Sequence, residues 1–209
     1  IYASLFSEEA RSYFDLAKYN LEEERMAIVV QELVGSRHGD YYYPHISGIA
    51  QSYNYYPVSY VKPEDGLCIA GMGLGTWVVG GGVAHRFCPK YPKLDVLSPD
   101  HALENTQRGF HALDMRRQVP DLYSGEMASL SELSVSEGEE DKWYSMLVST
   151  WDTEDLKFVP GNSGRGPRIV DFANILKYDA LPFAKAISMI LDIGSRSMGT
   201  PVEIEYALN

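Results

Sequence analysis

The stretch Met26-Ala-Ile-Val-Val-Gln31-Glu32-Leu33-Val34-Gly35-Ser36 carries most of the information on fold and function in this chain. Its first five residues are continuously apolar and mostly branched, which predicts a strand over about 26–33 that is buried on both faces. Gln31 and Glu32 interrupt the apolar run, and Gly35-Ser36 ends it. A polar pair at the end of a buried strand suits a planar heterocycle, because apolar walls hold the ring and a few polar groups fix its edge.

Two further segments suggest what accompanies that ring. Ser47-Gly48-Ile49-Ala50 predicts a second strand that opens with a small hydroxyl and a glycine. Pro201–Leu208 predicts a last strand in which Glu203 and Glu205 share one face, roughly 6–7 Å apart at Cα. Mg²⁺ commonly takes one or two carboxylates together with phosphate oxygens. The three segments together indicate a magnesium-nucleotide site.

Five segments in order resemble the nucleotide-binding domain of phosphoenolpyruvate synthase and pyruvate phosphate dikinase, the PEP/pyruvate-binding family with an ATP-grasp type fold. They are Ala3-Ser-Leu-Phe-Ser7 with Tyr13, Val29–Val34 (similar to V-V-Q-x-M-V), Ser47–Ala50 (similar to S-G-V), Gly73-Leu74-Gly75 with Val78-Val79 (similar to W-G-L-G-E-x-V-V), and Val202–Tyr206 (similar to D-I-E-W). No single segment is specific, but five in the right order are. The resemblance covers residues 1–83 and 181–209, whereas 84–180 match weakly and are expected to form an insert-like middle region.

The resemblance implies specific roles. Adenine recognition falls to Gln31 and the backbone from Glu32 to Val34, and the small hydroxyl of Ser47 lies near the phosphates. The family's metal-binding carboxylates correspond to Glu203 and Glu205.

One position departs from the family. A glutamate that contacts the nucleotide directly follows G-L-G in the family, and Thr76 stands there in this chain. This difference puts the ribose or metal contact at position 76 in doubt. Gly71-Met-Gly-Leu-Gly75 is not a phosphate-binding P-loop, because its spacing differs and no lysine follows.

Each candidate also has a simpler interpretation. Gln31 and Glu32 could mark the point at which a strand reaches solvent, and Ser47 could be an ordinary turn residue. Glu203 and Glu205 could be solvent-facing residues of a half-buried strand. The ordered resemblance favours the functional interpretation.

The expected fold class is α+β, an ATP-grasp-like nucleotide-binding lobe with a mainly antiparallel sheet and packed helices. Residues 1–209 are expected to be one partial domain of a larger enzyme. The resemblance implies an N-terminal lobe that supplies a phosphate-binding lysine and arginine, and a separate domain with the phosphorylated histidine. The fragment alone is expected to be inactive, with no catalytic residue of its own.

Composition narrows the alternatives. The chain has 209 residues and a net charge of −11, which argues against a nucleic-acid surface and an anionic membrane. No run is long enough for a transmembrane helix. Cys68 and Cys88 are too few for a disulfide framework and are expected to be buried thiols in a reducing cytoplasm.

The sequence contains several arginines that could contact phosphate. The candidates are Arg86, Arg116, Arg117, Arg165 and Arg168, and the sequence does not choose among them. The five histidines, His38, His45, His85, His101 and His111, show no metal-ligand spacing such as H-x-x-x-H. None of them is assigned the role of the family's phosphorylated histidine.

The predicted function is the ATP-binding part of a phosphotransferase that makes phosphoenolpyruvate from pyruvate and ATP through a phosphohistidine on another domain. ATP and Mg²⁺ are the expected cofactors. One alternative is a dikinase-like enzyme with a different acceptor, such as a glucan or an antibiotic. The other is a degenerate, non-catalytic nucleotide-binding module, which Thr76 favours and the two carboxylates disfavour.

Overall fold

The computed structural model describes residues 5–20, 23–95, 97–116 and 126–209, except for the side chain of Glu126. The chain divides into two compact units, 1–33 and 34–209. It is mixed α+β with antiparallel sheets and several helices, as the sequence predicts. Within the described ranges, no helix has the length and apolarity that crossing a membrane requires.

The first unit contains helix α1, Glu8–Ala17. The Ser7 side chain caps its first turn by accepting a hydrogen bond from the Ala10 amide at 3.2 Å. The helix ends at Lys18, which adopts the left-handed conformation at φ 58°. The apolar residues of 3–19 recur near helical spacing and predict a helix, which the structure confirms over Glu8–Ala17. Residues 3 and 4 of that prediction lie outside the described residues.

The segment that follows α1 differs from the prediction. Residues 24–35 have no regular secondary structure, and the side chains of Val29 and Val30 are 78% and 90% exposed. The prediction of a buried strand over 26–33 is therefore wrong for this chain. A strand needs a hydrogen-bonded neighbour, and none of the described strands pairs with these residues. The apolar pattern favours an extended backbone that is buried by neighbouring elements, but it does not show whether such neighbours are present.

The second unit contains the strands and the remaining helices. The described strands are β1 Ser36–His38, β2 Tyr41–Tyr43, β3 Ile46–Gln51, β4 Leu67–Gly71, β5 His85–Phe87, β6 Gly109–Asp114, β7 Leu130–Ser134, β8 Val148–Asp152, β9 Lys157–Pro160, β10 Arg168–Val170 and β11 Glu203–Leu208. The described helices are α2 Thr76–Val79, α3 Pro99–Glu104, α4 Tyr144–Leu147, α5 Ala173–Leu176 and α6 Phe183–Met198. Short 3-10 turns occupy Pro63–Asp65, Glu126–Ser129 and Val135–Gly138.

The strands form three antiparallel sheets. Sheet 1 has the order β1-β2-β6-β7, sheet 2 the order β11-β3-β4-β5, and sheet 3 the order β10-β8-β9. Sheet 2 therefore places the last strand of the chain beside β3. The sequence of 143–151 and 155–159 predicts two strands of a hairpin, which β8 and β9 confirm, although α4 takes up the first residues of the first strand.

One face of sheet 2 is packed against the core. Long helix α6 buries Phe183, Ile187 and Leu191, and the ring of Phe183 meets that of Tyr206 on β11 at 5.4 Å. The helix ends at Gly199, which adopts the left-handed conformation. Because side chains alternate along a strand, the opposite face of sheet 2 presents the residues in between.

Gly48 makes the packing of this core face possible. The Tyr206 hydroxyl crosses above it and donates a hydrogen bond to the Ile69 carbonyl at 3.0 Å. A Cβ at position 48 would lie 1.9 Å from that carbonyl oxygen and 2.7 Å from the Tyr206 hydroxyl. The glycine of the Ser47-Gly48 pair thus has a structural role in joining β11, β3 and β4.

The middle of the chain contributes more regular structure than its polar composition suggests. Residues 131–141 are nearly all Ser, Glu and Gly, which predicts an exposed loop or turn, yet β7 and a 3-10 turn occupy 130–138. The described part of the acidic region 100–141 also contains β6 and most of α3. Strand β6 buries Phe110 and Ala112 and pairs with β2 from the early part of the chain. The alternation of apolar and polar residues in Gly109–Asp114 is short and is flanked by charged residues, so it is a weak strand signal in the sequence.

Candidate functional site

The face of sheet 2 that points away from α6 is the candidate functional site and is called the open face. Strand pairing aligns its residues in rows across the four strands. Its members are Glu203, Glu205 and Ala207 on β11, Ser47, Ile49 and Gln51 on β3, Leu67, Ile69 and Gly71 on β4, and Arg86 on β5. Most of these residues are exposed or half-buried, whereas their neighbours in sequence point into the core.

The two predicted metal ligands lie together on the open face. Glu203 and Glu205 are both exposed and alternate with Ile204 and Tyr206, which are partly buried against the core. Glu203 pairs across the ladder with Gln51, whose side-chain amide donates a hydrogen bond to the Glu203 carboxylate. The amide fixes one carboxylate, and the other remains open to solvent.

A single cross-strand row connects the acidic edge of the sheet with a basic residue at the other edge. Glu205 pairs with Ile49, Ile49 with Ile69, and Ile69 with Arg86. Three strand spacings separate the ends of the row by about 14 Å at Cα. The open face therefore has a carboxylate pair on one side, an arginine on the other and an apolar floor between them.

The structure distinguishes among the candidate arginines. Arg116 forms a bidentate pair with Asp114, and Arg168 pairs with Glu139. Arg86 and Arg165 are exposed and have no ion-pair partner among the described residues, but only Arg86 belongs to the open face. Arg117 lies outside the described residues.

Ser47 lies on the same face but is covered. It is 2% exposed, and its hydroxyl donates a 2.5 Å hydrogen bond to the Gly73 carbonyl. Helix α2 packs against β3 and β4 at this end, so that Val78 lies above Gly71. Ser47 therefore holds the loop after β4 in place, and its predicted phosphate contact stays a prediction.

The glycine-rich loop after β4 is held by the protein itself. Gln107 is 2% exposed, accepts a hydrogen bond from the Met72 amide and donates one to the Met72 carbonyl. The Leu74 amide donates to the His111 carbonyl. Since these amides are already paired, the loop does not present them to an anion, which agrees with the rejection of a P-loop.

Thr76 begins α2 and is exposed. Its hydroxyl lies 3.0 Å from Nδ1 of His111 on β6. A threonine at this position forms a local hydrogen bond and lacks the negative charge that a glutamate would offer to a metal or a ribose hydroxyl. The predicted nucleotide contact of Thr76 stays a prediction.

The predicted adenine-binding residues are divided between the two units along the chain. Gln31 and Glu32 belong to the first unit and Val34 to the second, and all three are exposed in backbone without regular structure. Their role in adenine recognition stays a prediction.

A cavity of about 840 Å³ adjoins the open face at its basic edge. Ile69, Val78 and Arg86 form part of its wall, together with Asp171 and Lys177. This volume falls within the range of small-molecule sites. Sequence reasoning missed the cavity, because its walls come from segments more than a hundred residues apart.

Two titratable groups of this cavity have shifted pKa values. Burial lowers the pKa of His85 to about 4, so that its ring is neutral at neutral pH. Burial raises the pKa of the Asp171 carboxyl above its ordinary value, although the Ser149 hydroxyl and the Ala173 amide donate hydrogen bonds to it. Neither residue was singled out from the sequence.

The two cysteines are buried, free thiols, as predicted. Burial raises the pKa of Cys68 to about 12. Such a thiol carries no thiolate at neutral pH and has no nucleophilic role in the site.

Comparison with known proteins gives one match. A family model described as the pyruvate phosphate dikinase AMP/ATP-binding domain matches residues 1–209. Neither a curated protein nor a solved structure matches the chain.

Proposed function

Because the chain belongs to the pyruvate phosphate dikinase AMP/ATP-binding domain family, we propose that the open face of sheet 2 binds ATP together with Mg²⁺. The chain is the ATP-binding part of a pyruvate phosphate dikinase-like enzyme. The observation that carries the proposal is the joint exposure of Glu203 and Glu205 on the open face, opposite Arg86.

The carboxylate pair suits Mg²⁺. Two exposed carboxylates roughly 6–7 Å apart at Cα can flank a small ion that keeps several waters and phosphate oxygens. Glu203 is oriented by Gln51, and Glu205 is free to move toward the ion. Bound Mg²⁺ neutralises the charge of the polyphosphate, which a chain with a net charge of −11 would otherwise repel.

The other residues position the nucleotide. Arg86 supplies a permanently charged donor for a phosphate oxygen at the far side of the face. Ile49 and Ile69 form a floor from which water is excluded when a ligand covers it. Adenine recognition by Gln31 and the backbone of Glu32 to Val34 completes the proposal, with Ser47 and Thr76 near the phosphates.

The proposed reaction is transfer of a phosphoryl group from ATP to a histidine of another domain, and from there to pyruvate to give phosphoenolpyruvate. None of the described histidines lies on the open face, which supports an acceptor histidine elsewhere. Residues 1–209 are proposed as part of one ATP-grasp-type domain, inactive by itself and located in the cytoplasm. Thr76 is the observation that favours the alternative of a non-catalytic nucleotide-binding module.

The reaction is tested by AMP formation from ATP in the whole protein that carries this chain. AMP that requires pyruvate alone establishes a phosphoenolpyruvate synthase, and AMP that requires pyruvate and phosphate establishes a dikinase. ATP binding without AMP under either condition would contradict the proposed acceptor and favour a different one or a non-catalytic module.

A further inference from the structure

His38, His45 and Asp141 converge in sheet 1 and its surroundings, and we propose that they form a site for a divalent transition-metal ion, with Zn²⁺ the best-suited ion. The three residues are called the His-Asp cluster. Each offers one ligand atom, and the three atoms lie within 4.8 Å of one another. Because the residues come from β1, the β2–β3 connection and the turn before α4, no sequence spacing reveals them.

The distances suit a tetrahedral ion. The Asp141 carboxylate oxygen Oδ2 lies 3.1 Å from His38 Nδ1 and 3.3 Å from His45 Nε2. With metal–ligand bonds of about 2.0–2.1 Å, neighbouring ligand atoms of a tetrahedron are about 3.3 Å apart. The two imidazole rings lie 5.5 Å apart between centroids, at 84° to each other. Three protein ligands leave a fourth position for water.

The cluster is enclosed and electronegative. The side chains of His38, His45 and Asp141 are 17%, 9% and 8% exposed. A site with little water and a carboxylate attracts a cation more strongly than an exposed site does.

The hydrogen bonds around His38 leave a lone pair facing the carboxylate. The Ser36 hydroxyl donates to Asn209 Oδ1 at 3.0 Å and lies 3.0 Å from His38 Nε2. Since the hydroxyl proton is used toward Asn209, Ser36 accepts the proton of Nε2. Nδ1 of a neutral His38 then carries no proton and points at Asp141 Oδ2. Nδ1 and the carboxylate oxygen would then be two acceptors facing each other, and a cation between them removes the repulsion. Ser36 fixes the tautomer of His38 by accepting the proton of Nε2.

His45 directs its Nε2 at the same Asp141 oxygen, at 3.3 Å. Its Nδ1 is buried and has no hydrogen-bond partner among the described residues, so Nε2 is the ring nitrogen that faces the other two ligand atoms. The bound ion would link β1, the β2–β3 connection and the turn before α4.

The experiment uses the untagged 209-residue chain and measures Zn²⁺ binding by calorimetry against a competing chelator. Co²⁺ as a spectroscopic probe reports the geometry through its visible absorption. The test variants are Asp141→Asn and His38→Gln. The matched controls are Glu140→Gln, which removes the same charge from an exposed neighbour, and His101→Gln, which removes an exposed histidine.

The expected result is one Zn²⁺ per chain, intense tetrahedral Co²⁺ absorption and a raised melting temperature in the wild-type chain and both controls. Asp141→Asn and His38→Gln should lose saturable binding, with circular dichroism showing that the metal-free variants are folded. If one variant fails to fold, the other decides. Absence of saturable binding in the folded wild-type chain, or equal affinity in a folded test variant and its control, would overturn the proposal and leave a hydrogen-bonded cluster.

Discussion

Glu205 on β11 and Arg86 on β5 stand at opposite ends of one cross-strand row, joined through Ile49 and Ile69. The row spans the whole width of sheet 2 and places opposite charges about 14 Å apart on one open face. A polyphosphate with its metal ion is a ligand of the right charge pattern for such a face.

Replacing Arg86 by glutamine should weaken ATP binding about tenfold, because a hydrogen bond from a charged donor to phosphate is worth about 1.5–3 kcal/mol at best and Arg86 is exposed. Fluorescence anisotropy with a labelled ATP analogue in saturating Mg²⁺ measures the change. Arg165→Gln is the matched control, since Arg165 is also exposed but lies off the open face. Equal affinities of the two variants would argue against a phosphate contact at Arg86.

Gly48→Ala should destabilise the second unit by about 3 kcal/mol or more, because the new methyl group overlaps the Ile69 carbonyl and displaces the Tyr206 hydroxyl. Urea denaturation monitored by circular dichroism gives the free energy of unfolding. Gly75→Ala is the control, since the nearest atoms to its Cβ are 4.0 Å away, and its cost should stay below about 0.5 kcal/mol. Similar stabilities of the two variants would contradict the close approach at Gly48.

Asp171→Asn should stabilise the fold at neutral pH, because it removes a charge that is buried in the folded state. The folded-state pKa of Asp171 lies above its unfolded-state value because of burial. Its contribution to stability is therefore complete below the unfolded-state pKa and is lost as the pH rises through the folded-state pKa. Asparagine mimics the protonated carboxyl and still accepts hydrogen bonds from Ser149 and Ala173.

Urea denaturation at a series of pH values measures this effect. The difference in stability between Asp171→Asn and the wild-type chain should grow from acid to neutral pH, whereas Asp100→Asn, at an exposed carboxylate, should show a small and constant difference. A difference for Asp171→Asn that does not change with pH would show that burial does not shift this group.

Much of sheet 2 could be predicted from local pattern. The alternation in Glu203–Leu208 and the segment Ser47-Gly48-Ile49-Ala50 predict strands, which β11 and β3 confirm. The apolar residues of 181–197 recur at helical spacing and predict a helix, which α6 confirms. The shared face of Glu203 and Glu205 followed from the two-residue period of a strand. These features depend on neighbours in sequence, and sequence therefore reveals them.

Features that depend on distant segments could not be predicted. The apolar run 26–33 indicated a buried strand, but burial requires a partner that a local pattern does not identify. Arg86 could not be separated from the other arginines until the register of β3, β4 and β5 was known. The His-Asp cluster joins residues up to 103 positions apart, a separation that follows from the numbers of His38 and Asp141.

Mg²⁺-dependent ATP binding by the 209-residue chain tests the carboxylate site on the open face, measured by calorimetry for the wild-type chain, Glu205→Gln and Glu154→Gln. Glu154 is an exposed carboxylate in the turn between β8 and β9 and serves as the control. We expect the wild-type chain and the control to bind ATP more tightly when Mg²⁺ is present. We expect the Mg²⁺-dependent gain in affinity to be about tenfold smaller in Glu205→Gln. Equal Mg²⁺-dependent affinity in all three chains, or no ATP binding by the wild-type chain, would contradict the proposed carboxylate site.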